Sequence, residues 1–348
     1  MSRKLKIGIW VVLGFVLVLT AAVMILNQLG DFRFKPPVRH SETFVVTDPT
    51  RLPSRLQAAG NQLVDESGQV VQLRGVMVQD PDELDQRGRF TKAWFEQVKA
   101  LGANVVRIPV HPEPWSKDRE YLWRYLDPVV RWAGELGMYV IIDWHYIGNI
   151  LTGVGEHMPD IVEKPADLSR EFWQQTADYF KEAPHVLFEI YNEPAEISEA
   201  AWRPMAQELV DIIREAGAEQ LVIVSGLDWT SNLRMYLEKP IEDLNTAYSA
   251  HIYPQHSSRL WDAWFGELAQ KYPVLVTEWG FMDENRAEGP DYLRGDAAGY
   301  GQLLLDTLNQ RGIGWVACWY DDAWLPQMLT SEGAFTSFGR FTADALKK

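Results

Sequence analysis

The chain is nearly without cysteine: Cys318 is the only one in 348 residues. No intramolecular disulfide and no cysteine-based zinc cluster can form, and the redox compartment stays open. No block of Lys or Arg appears. The formal net charge is −15 with the acidic residues scattered, which argues against a nucleic-acid partner. No Gly-rich phosphate loop follows any apolar run, so the nucleotide-binding kind of doubly wound sheet has no support. There is no His-Glu-x-x-His pair and no Asp-rich calcium loop, so neither a metal nor another cofactor is implied. Short-period repeats and low-complexity tracts are absent as well.

Long apolar runs are missing with one exception. Residues 7–26 are uncharged and mostly apolar, and they follow Arg3, Lys4 and Lys6. About 20 such residues span a bilayer core as a helix. A cleaved signal peptide, the competing reading, has an apolar region of about 7–15 residues and a small-x-small cleavage site. No such site precedes Asn27. The expectation is a cytoplasmic stretch 1–6, a transmembrane signal anchor 7–26, a tether or arm 27–54 containing Pro36, Pro37, Pro49 and Pro53, and a catalytic domain 55–348. Arg33, Lys35 and Arg39 nearly balance the charges ahead of the span. The leading ones lie closer to it, which puts the domain on the outer, periplasmic or extracellular side.

What the chain does have is aromatic side chains, among them 15 Trp and 13 Tyr. These fill core or form surfaces that stack on flat ligands such as sugar rings. The segment Asn61–Gly75, with two short apolar-polar runs around Glu66-Ser67-Gly68, predicts a β-hairpin plugging a barrel floor. Apolar runs then predict strands at 72–78, 104–110, 139–145, 186–192, 221–226, 247–253, 274–279 and 314–320. Helical spacing recurs between most of them, as in Leu126/Val129/Val130/Ala133, Trp173/Thr176/Ala177/Phe180, Trp202/Met205/Leu209/Ile212 and Leu260/Trp264/Phe265/Leu268. The crossover after the fifth strand is the weakest, with only Leu233 to Leu237 as a short helix. Eight strands with eight crossovers fit an α/β fold of the (β/α)8 barrel type, with the hairpin before it and the transmembrane helix ahead of both.

In such a barrel the chemistry sits at the C-terminal strand ends. Those ends carry Arg107, Asp143-Trp144-His145, Asn192-Glu193, His251 and Tyr253, Glu278-Trp279, and Trp319-Tyr320. Pro194 cannot donate to a ladder, which predicts that the fourth strand stops at Asn192-Glu193-Pro194. Arg107 inside an apolar strand requires a carboxylate nearby. Two carboxylates on two strand tips are the minimum apparatus for cleaving a glycosidic bond.

These motifs, Asn192-Glu193-Pro194 and Thr277-Glu278-Trp279-Gly280 above all, resemble glycoside hydrolase family 5, the cellulase-type retaining glycosidases. The resemblance runs from about Asn61 to the C-terminal end, and no carbohydrate-binding module accompanies it. It implies Glu193 as acid/base, Glu278 as nucleophile, and Arg107, His145, Asn192, His251, Tyr253 and Trp319 as supporting positions. Physically, Arg107 and Tyr253 would keep Glu278 ionised, while burial and the neighbouring negative charge raise Glu193. Asn192 suits a sugar 2-hydroxyl, and His145 and His251 would position Glu193 and neighbouring hydroxyls. Trp319 would be the floor for the reacting sugar. Trp115, Trp229 and Tyr146 are further subsite candidates, whereas Trp144 and Trp279 belong to the barrel wall by strand alternation. His111, His157 and His256 lie in mouth loops, and His185 on the bottom face is structural.

The function expected is membrane-anchored endo-hydrolysis of β-1,4-glucan. Mannan, xyloglucan and β-1,3 or mixed-linkage glucan are alternative substrates, with hydrolysis or transglycosylation as the outcome. An idle glycan-binding scaffold is the rival of another class. Expected partners are a β-linked polysaccharide or oligosaccharide, the membrane, and the machinery of polysaccharide synthesis or export. Substrate choice is expected to lie in loops 146–167 and 281–295.

Overall fold

In the computed structural model all eight apolar runs become parallel strands: β1 Arg74–Met77, β2 Val105–Val110, β3 Tyr139–Trp144, β4 Val186–Glu189, β5 Val222–Ser225, β6 Thr246–Ile252, β7 Val274–Trp279 and β8 Gly314–Cys318. They pair in chain order, and β8 closes on β1 through Trp315↔Arg74 and Cys318↔Met77. The sheet is therefore a closed eight-stranded barrel. The residues described are 35–46, 48–155, 164–283 and 289–348. The expected membrane span 7–26 lies outside them, and among the described residues no helix is long and apolar enough to cross a membrane.

Side-chain alternation divides the apolar residues into two layers. Met77, Val105, Ile141, Leu187, Ile223, Leu275 and Val316 point inwards and form the inner cluster. Their strand neighbours Val76, Val106, Val140, Phe188, Val222 and Val276 point outwards into the larger core beneath the helices. Towards the C-terminal strand ends the inner column changes character, with Arg107, Asp143, Glu189, Ser249 and Thr277 all fully buried.

The helices α1 Lys92–Ala100, α2 Asp127–Glu135, α3 Pro165–Phe180, α4 Glu199–Glu215, α5 Gln302–Gln310 and α6 Ser337–Leu346 pack outside the barrel. They bury the predicted faces, for example Val129, Val130 and Ala133 on α2 and Trp173, Thr176, Ala177 and Phe180 on α3. After β5 there are only two short turns, Leu227–Thr230 and Arg234–Tyr236, as the poor periodicity there predicts. The set beginning at Leu260 does not make a regular helix. A π-type turn Asp262–Gly266 and a 3-10 turn Leu268–Gln270 replace it, with Leu260 exposed. Gly266 in the middle of the segment weakens a helix there.

Two strand ends depart from expectation. The fourth strand leaves the barrel ladder after Glu189 rather than at Pro194. Glu193-Pro194 then forms a separate parallel pair with Ile147-Gly148, where the Glu193 N–H donates to the Tyr146 carbonyl (3.0 Å). The hairpin also begins earlier than predicted: Gln57–Ala59 pairs with Gln62–Val64 around Gly60, whose φ of +62° suits glycine. The predicted turn at Glu66-Ser67-Gly68 exists, closed by Asp65, whose carboxylate accepts from the Ser67 and Gln69 amides (both 2.9 Å). Its second arm is reduced to a single bridge, Val64↔Val70.

This segment closes the floor. Leu56, Leu63 and Leu73 join the inner cluster with Leu187, Leu221 and Leu275. Asn245 accepts from the Ala58 amide (2.8 Å) and donates to the Leu56 carbonyl (3.2 Å). At the same end Phe44 is buried against Phe180 and His185, and its amide donates to the Tyr179 carbonyl (2.9 Å). The end of α6 reaches the floor too. Gly102 (φ +104°) lies so close to the Leu346 carbonyl that a Cβ would stand 2.5 Å from it.

Candidate active site

Arg107 is the hub of the mouth. It is fully buried, and an unpaired guanidinium there would be costly. Three carboxylates meet it: Nε donates to Glu189 (2.6 Å), Nη1 to Glu278 Oε1 (2.7 Å), and Nη2 lies 3.1 Å from Asp143. Nη2 also donates to Asn192 Oδ1 (2.8 Å). Strands β2, β3, β4 and β7 are thus fastened by one cation.

Glu278 and Thr277 are sequence neighbours, so an ideal strand would aim them to opposite faces. The β6–β7 ladder slips register at Ala250/His251, and the β7–β8 ladder slips between Val276 and Trp279. That irregularity lets both side chains face inwards, the usual use of a bulge beside a site. Thr277 donates to Glu189 (2.7 Å), while Glu278 takes Arg107 on one oxygen and the Tyr253 hydroxyl on the other (2.7 Å). Trp279 is left in the wall against Trp315 and Phe338.

Glu193 occupies the opposite side. Its Oε1 meets His251 Nδ1 at 2.8 Å, and the same nitrogen is 3.5 Å from Glu278 Oε2. Carboxylate oxygens of Glu193 and Glu278 and a nitrogen of His251 all lie within 4.8 Å of one another. Three potential metal ligands therefore converge here, but their polar atoms already engage Arg107, Tyr253 and each other. The two glutamates are tuned in opposite directions. Burial raises Glu193, and the Glu278 charge adds to this against the pull of His251 and Arg107. Burial would raise Glu278 as well, but His251, Arg107 and the Tyr253 hydroxyl outweigh it and hold the carboxyl below its ordinary value. Burial drives Asp143 well up against the pull of Arg107, with the neighbouring carboxylates adding to it, and the group meets His145 Nδ1 at 2.6 Å.

The expected residues Arg107, Asn192, Glu193, His251, Tyr253 and Glu278 therefore form one network. The Nδ2 of Asn192 is buried without a hydrogen-bond partner. His145 pairs with Asp143 rather than with Glu193, and its ring lies 5.7 Å from that of Trp319. Trp319 is held by its indole N–H on the Leu325 carbonyl (3.1 Å), with Trp324 edge-on at 4.9 Å. Trp229 is exposed (41%) after β5, beside Thr230, whose hydroxyl donates to the Asn192 carbonyl (2.6 Å).

Two subsite candidates, Trp115 and Tyr146, lie in the core. Trp115 is buried among Tyr121, Trp144 and Phe172, because the short helix Pro112–Lys117 turns it under the mouth loops. Tyr146 is buried and stacked on Tyr191 (5.4 Å); its contribution is the carbonyl that receives the Glu193 amide. His111 is fixed by Asp80 (3.1 Å). His256 Nδ1 accepts from the Tyr253 amide (3.1 Å), and burial pushes the ring down to about 4. His185 is a core residue donating to the Val130 carbonyl (2.9 Å), as expected. His157 and parts of both loops expected to choose substrate lie outside the described residues.

Sequence reasoning missed Glu189 and gave no role to Asp143 or Thr277. The signal for Glu189 was present, since an acid inside the apolar run Val186–Ile190 demands a buried cation as strictly as Arg107 demands an anion.

The family profile described as Cellulase (glycosyl hydrolase family 5) matches residues 64–322. Endoglucanase N of Pectobacterium atrosepticum is 28% identical over 275 residues, covering 77% of this chain and 57% of that protein. Endoglucanase E-5 of Thermobifida fusca is 25% identical over 322 residues, covering 86% and 62%. The chain thus spans little more than half the length of the curated relatives it matches. A β-glucanase of Saccharophagus degradans superposes with a TM-score of 0.82 at 27% identity, covering 89% of this chain and 97% of that one, and it has also been solved with cellotetraose.

Proposed function

Because the chain belongs to glycosyl hydrolase family 5, we propose that it is a retaining endo-β-glycanase acting on β-1,4-glucan, with Glu278 as nucleophile and Glu193 as acid/base. The observation that carries this reading is the pair of carboxylates within 4.8 Å, tuned in opposite directions. Retaining enzymes hold their carboxyls about 5–5.5 Å apart, and inverting ones about 6.5–9.5 Å to admit a water. Glu278, kept anionic, attacks the anomeric carbon as Glu193 gives its proton to the departing sugar oxygen. Glu193 then takes a proton from water as that water displaces Glu278, restoring both groups. The unpartnered Nδ2 of Asn192 suits a sugar 2-hydroxyl, whose hydrogen bond strengthens in the transition state. The β-1,4-glucan assignment is supported by relatives named endoglucanases and by the cellotetraose complex of the Saccharophagus protein.

Azide separates the two roles. With an activated aryl cellobioside, Glu193→Ala still forms the glycosyl-enzyme, which azide captures as a glycosyl azide of retained configuration. Glu278→Ala with azide yields only the inverted azide. NMR showing the opposite pairing would exchange the roles, and full activity in both variants would remove the site. Anchoring through residues 7–26 is part of the proposal and rests on that apolar run alone. The full chain should stay with membranes through a high-salt wash, and a soluble product beginning near Asn27 would refute this.

A further inference from the structure

The hydroxyl of Thr277 has a single proton, and it is committed. Oγ1 donates to Glu189 Oε1 (2.7 Å), while the other oxygen of Glu189 takes Arg107 Nε (2.6 Å); all three residues are fully buried. Towards His251 Nε2, 3.2 Å away, Thr277 can therefore act only as acceptor, so Nε2 must carry the imidazole proton. In a neutral imidazole, as distinct from the imidazolium whose charge pulls both glutamates down, this leaves the lone pair on Nδ1. The 2.8 Å contact between Nδ1 and Glu193 Oε1 then requires the proton to come from Glu193.

From this geometry we propose that Glu189 and Thr277 are positioning residues for the acid/base, which fix the tautomer of His251 and so keep the proton on Glu193 in the resting enzyme. The inference rests on Glu193 being the acid. It supplies what burial alone does not, a lone pair aimed at the carboxyl group. After Glu193 has passed its proton to the leaving oxygen, its anion faces that lone pair. This keeps it basic enough to take the next proton from water. Among the other charged groups around the pair, Glu278 lies 3.5 Å from Nδ1 and favours a proton there, a preference that the Thr277 acceptor at Nε2 counters in a neutral ring; Arg107 faces Glu278 Oε1, and His256 stands behind His251.

The test is Thr277→Val, which removes the hydroxyl at nearly constant volume, beside Thr277→Ser, which restores it. In the Val variant His251 is free to protonate Nδ1 and stabilise ionised Glu193. The basic limb of the kcat/KM profile should then move down by about one unit. Turnover of a cello-oligosaccharide, whose leaving hydroxyl needs the acid, should fall about tenfold more than that of a dinitrophenyl cellobioside, which does not. Ser should recover both properties. An unmoved basic limb, or equal losses on both substrates, would overturn the inference and leave Thr277 a merely structural residue. If azide instead gave the acid role to Glu278, the parent reading would fall, and the inference with it.

Discussion

Replacing Tyr253 by Phe removes one oxygen and nothing else. That oxygen donates to Glu278 Oε2 at 2.7 Å and lies 3.3 Å from Cys318 Sγ. A hydrogen bond to a charged group is worth about 1.5–3 kcal/mol. At about 1.4 kcal/mol per pKa unit, losing it should raise Glu278 by about one to two units. Arg107 still holds Oε1, so the lower figure applies. The acid limb of kcat/KM reports ionisation of the nucleophile in the free enzyme. Because that limb depends on a depressed carboxyl, weakening the depression moves it upward, and the bell narrows from the acid side alone. The assay is a pH profile on an aryl cellobioside for wild type and Tyr253→Phe. An acid limb that stays in place while activity falls uniformly at every pH would refute the argument and give Tyr253 a role on the sugar instead.

Other consequences follow from the same contacts. Glu189→Ala leaves Arg107 short of a buried partner and should cost about 3–5 kcal/mol in urea unfolding, although Glu189 touches neither proposed catalytic carboxylate. Trp115→Ala should cost about 3–5 kcal/mol as a core truncation without altering KM, whereas Trp229→Ala should leave stability within about 0.5 kcal/mol and weaken polysaccharide binding. The reverse pattern would restore the original assignment of Trp115. Asp322 is held well below its ordinary value by the hydrogen bond from Arg89, which outweighs burial with help from Arg87. Its stabilisation is therefore full above about pH 4, the unfolded carboxyl's range, and fades as pH falls. Asp322→Asn should lose about 1–2 kcal/mol at neutral pH, with the gap to wild type closing in acid unfolding curves.

The barrel was legible because each strand is an apolar run ending in a residue that apolar cores reject. Arg107, Glu193 and Glu278 announce the mouth by that contrast. Partnership was harder to read. His145 and His251 look equivalent in sequence, yet Asp143 claims one and Glu193 the other. Strand alternation misleads at Thr277-Glu278, because a register slip is a property of three strands together and leaves no mark on one. The aromatics were the least legible. Trp115 and Trp229 both follow strand ends, and only the local path separates them, a proline-led helix turning one inward and left-handed backbone at residues 228–230 leaving the other exposed.

The closed end of the barrel also has a practical meaning. The arm containing Phe44 and Leu56 enters at the floor, and α6 finishes there beside Gly102. Both ends of the folded unit 41–348 thus emerge on the face remote from Glu193 and Glu278. Coupling to a bead, an electrode or a carrier protein through either end should grip the molecule by its base and leave the mouth of the barrel free. For the same reason a circular permutant that joins the two ends and opens a helix-to-strand turn elsewhere on that face should retain the complete site.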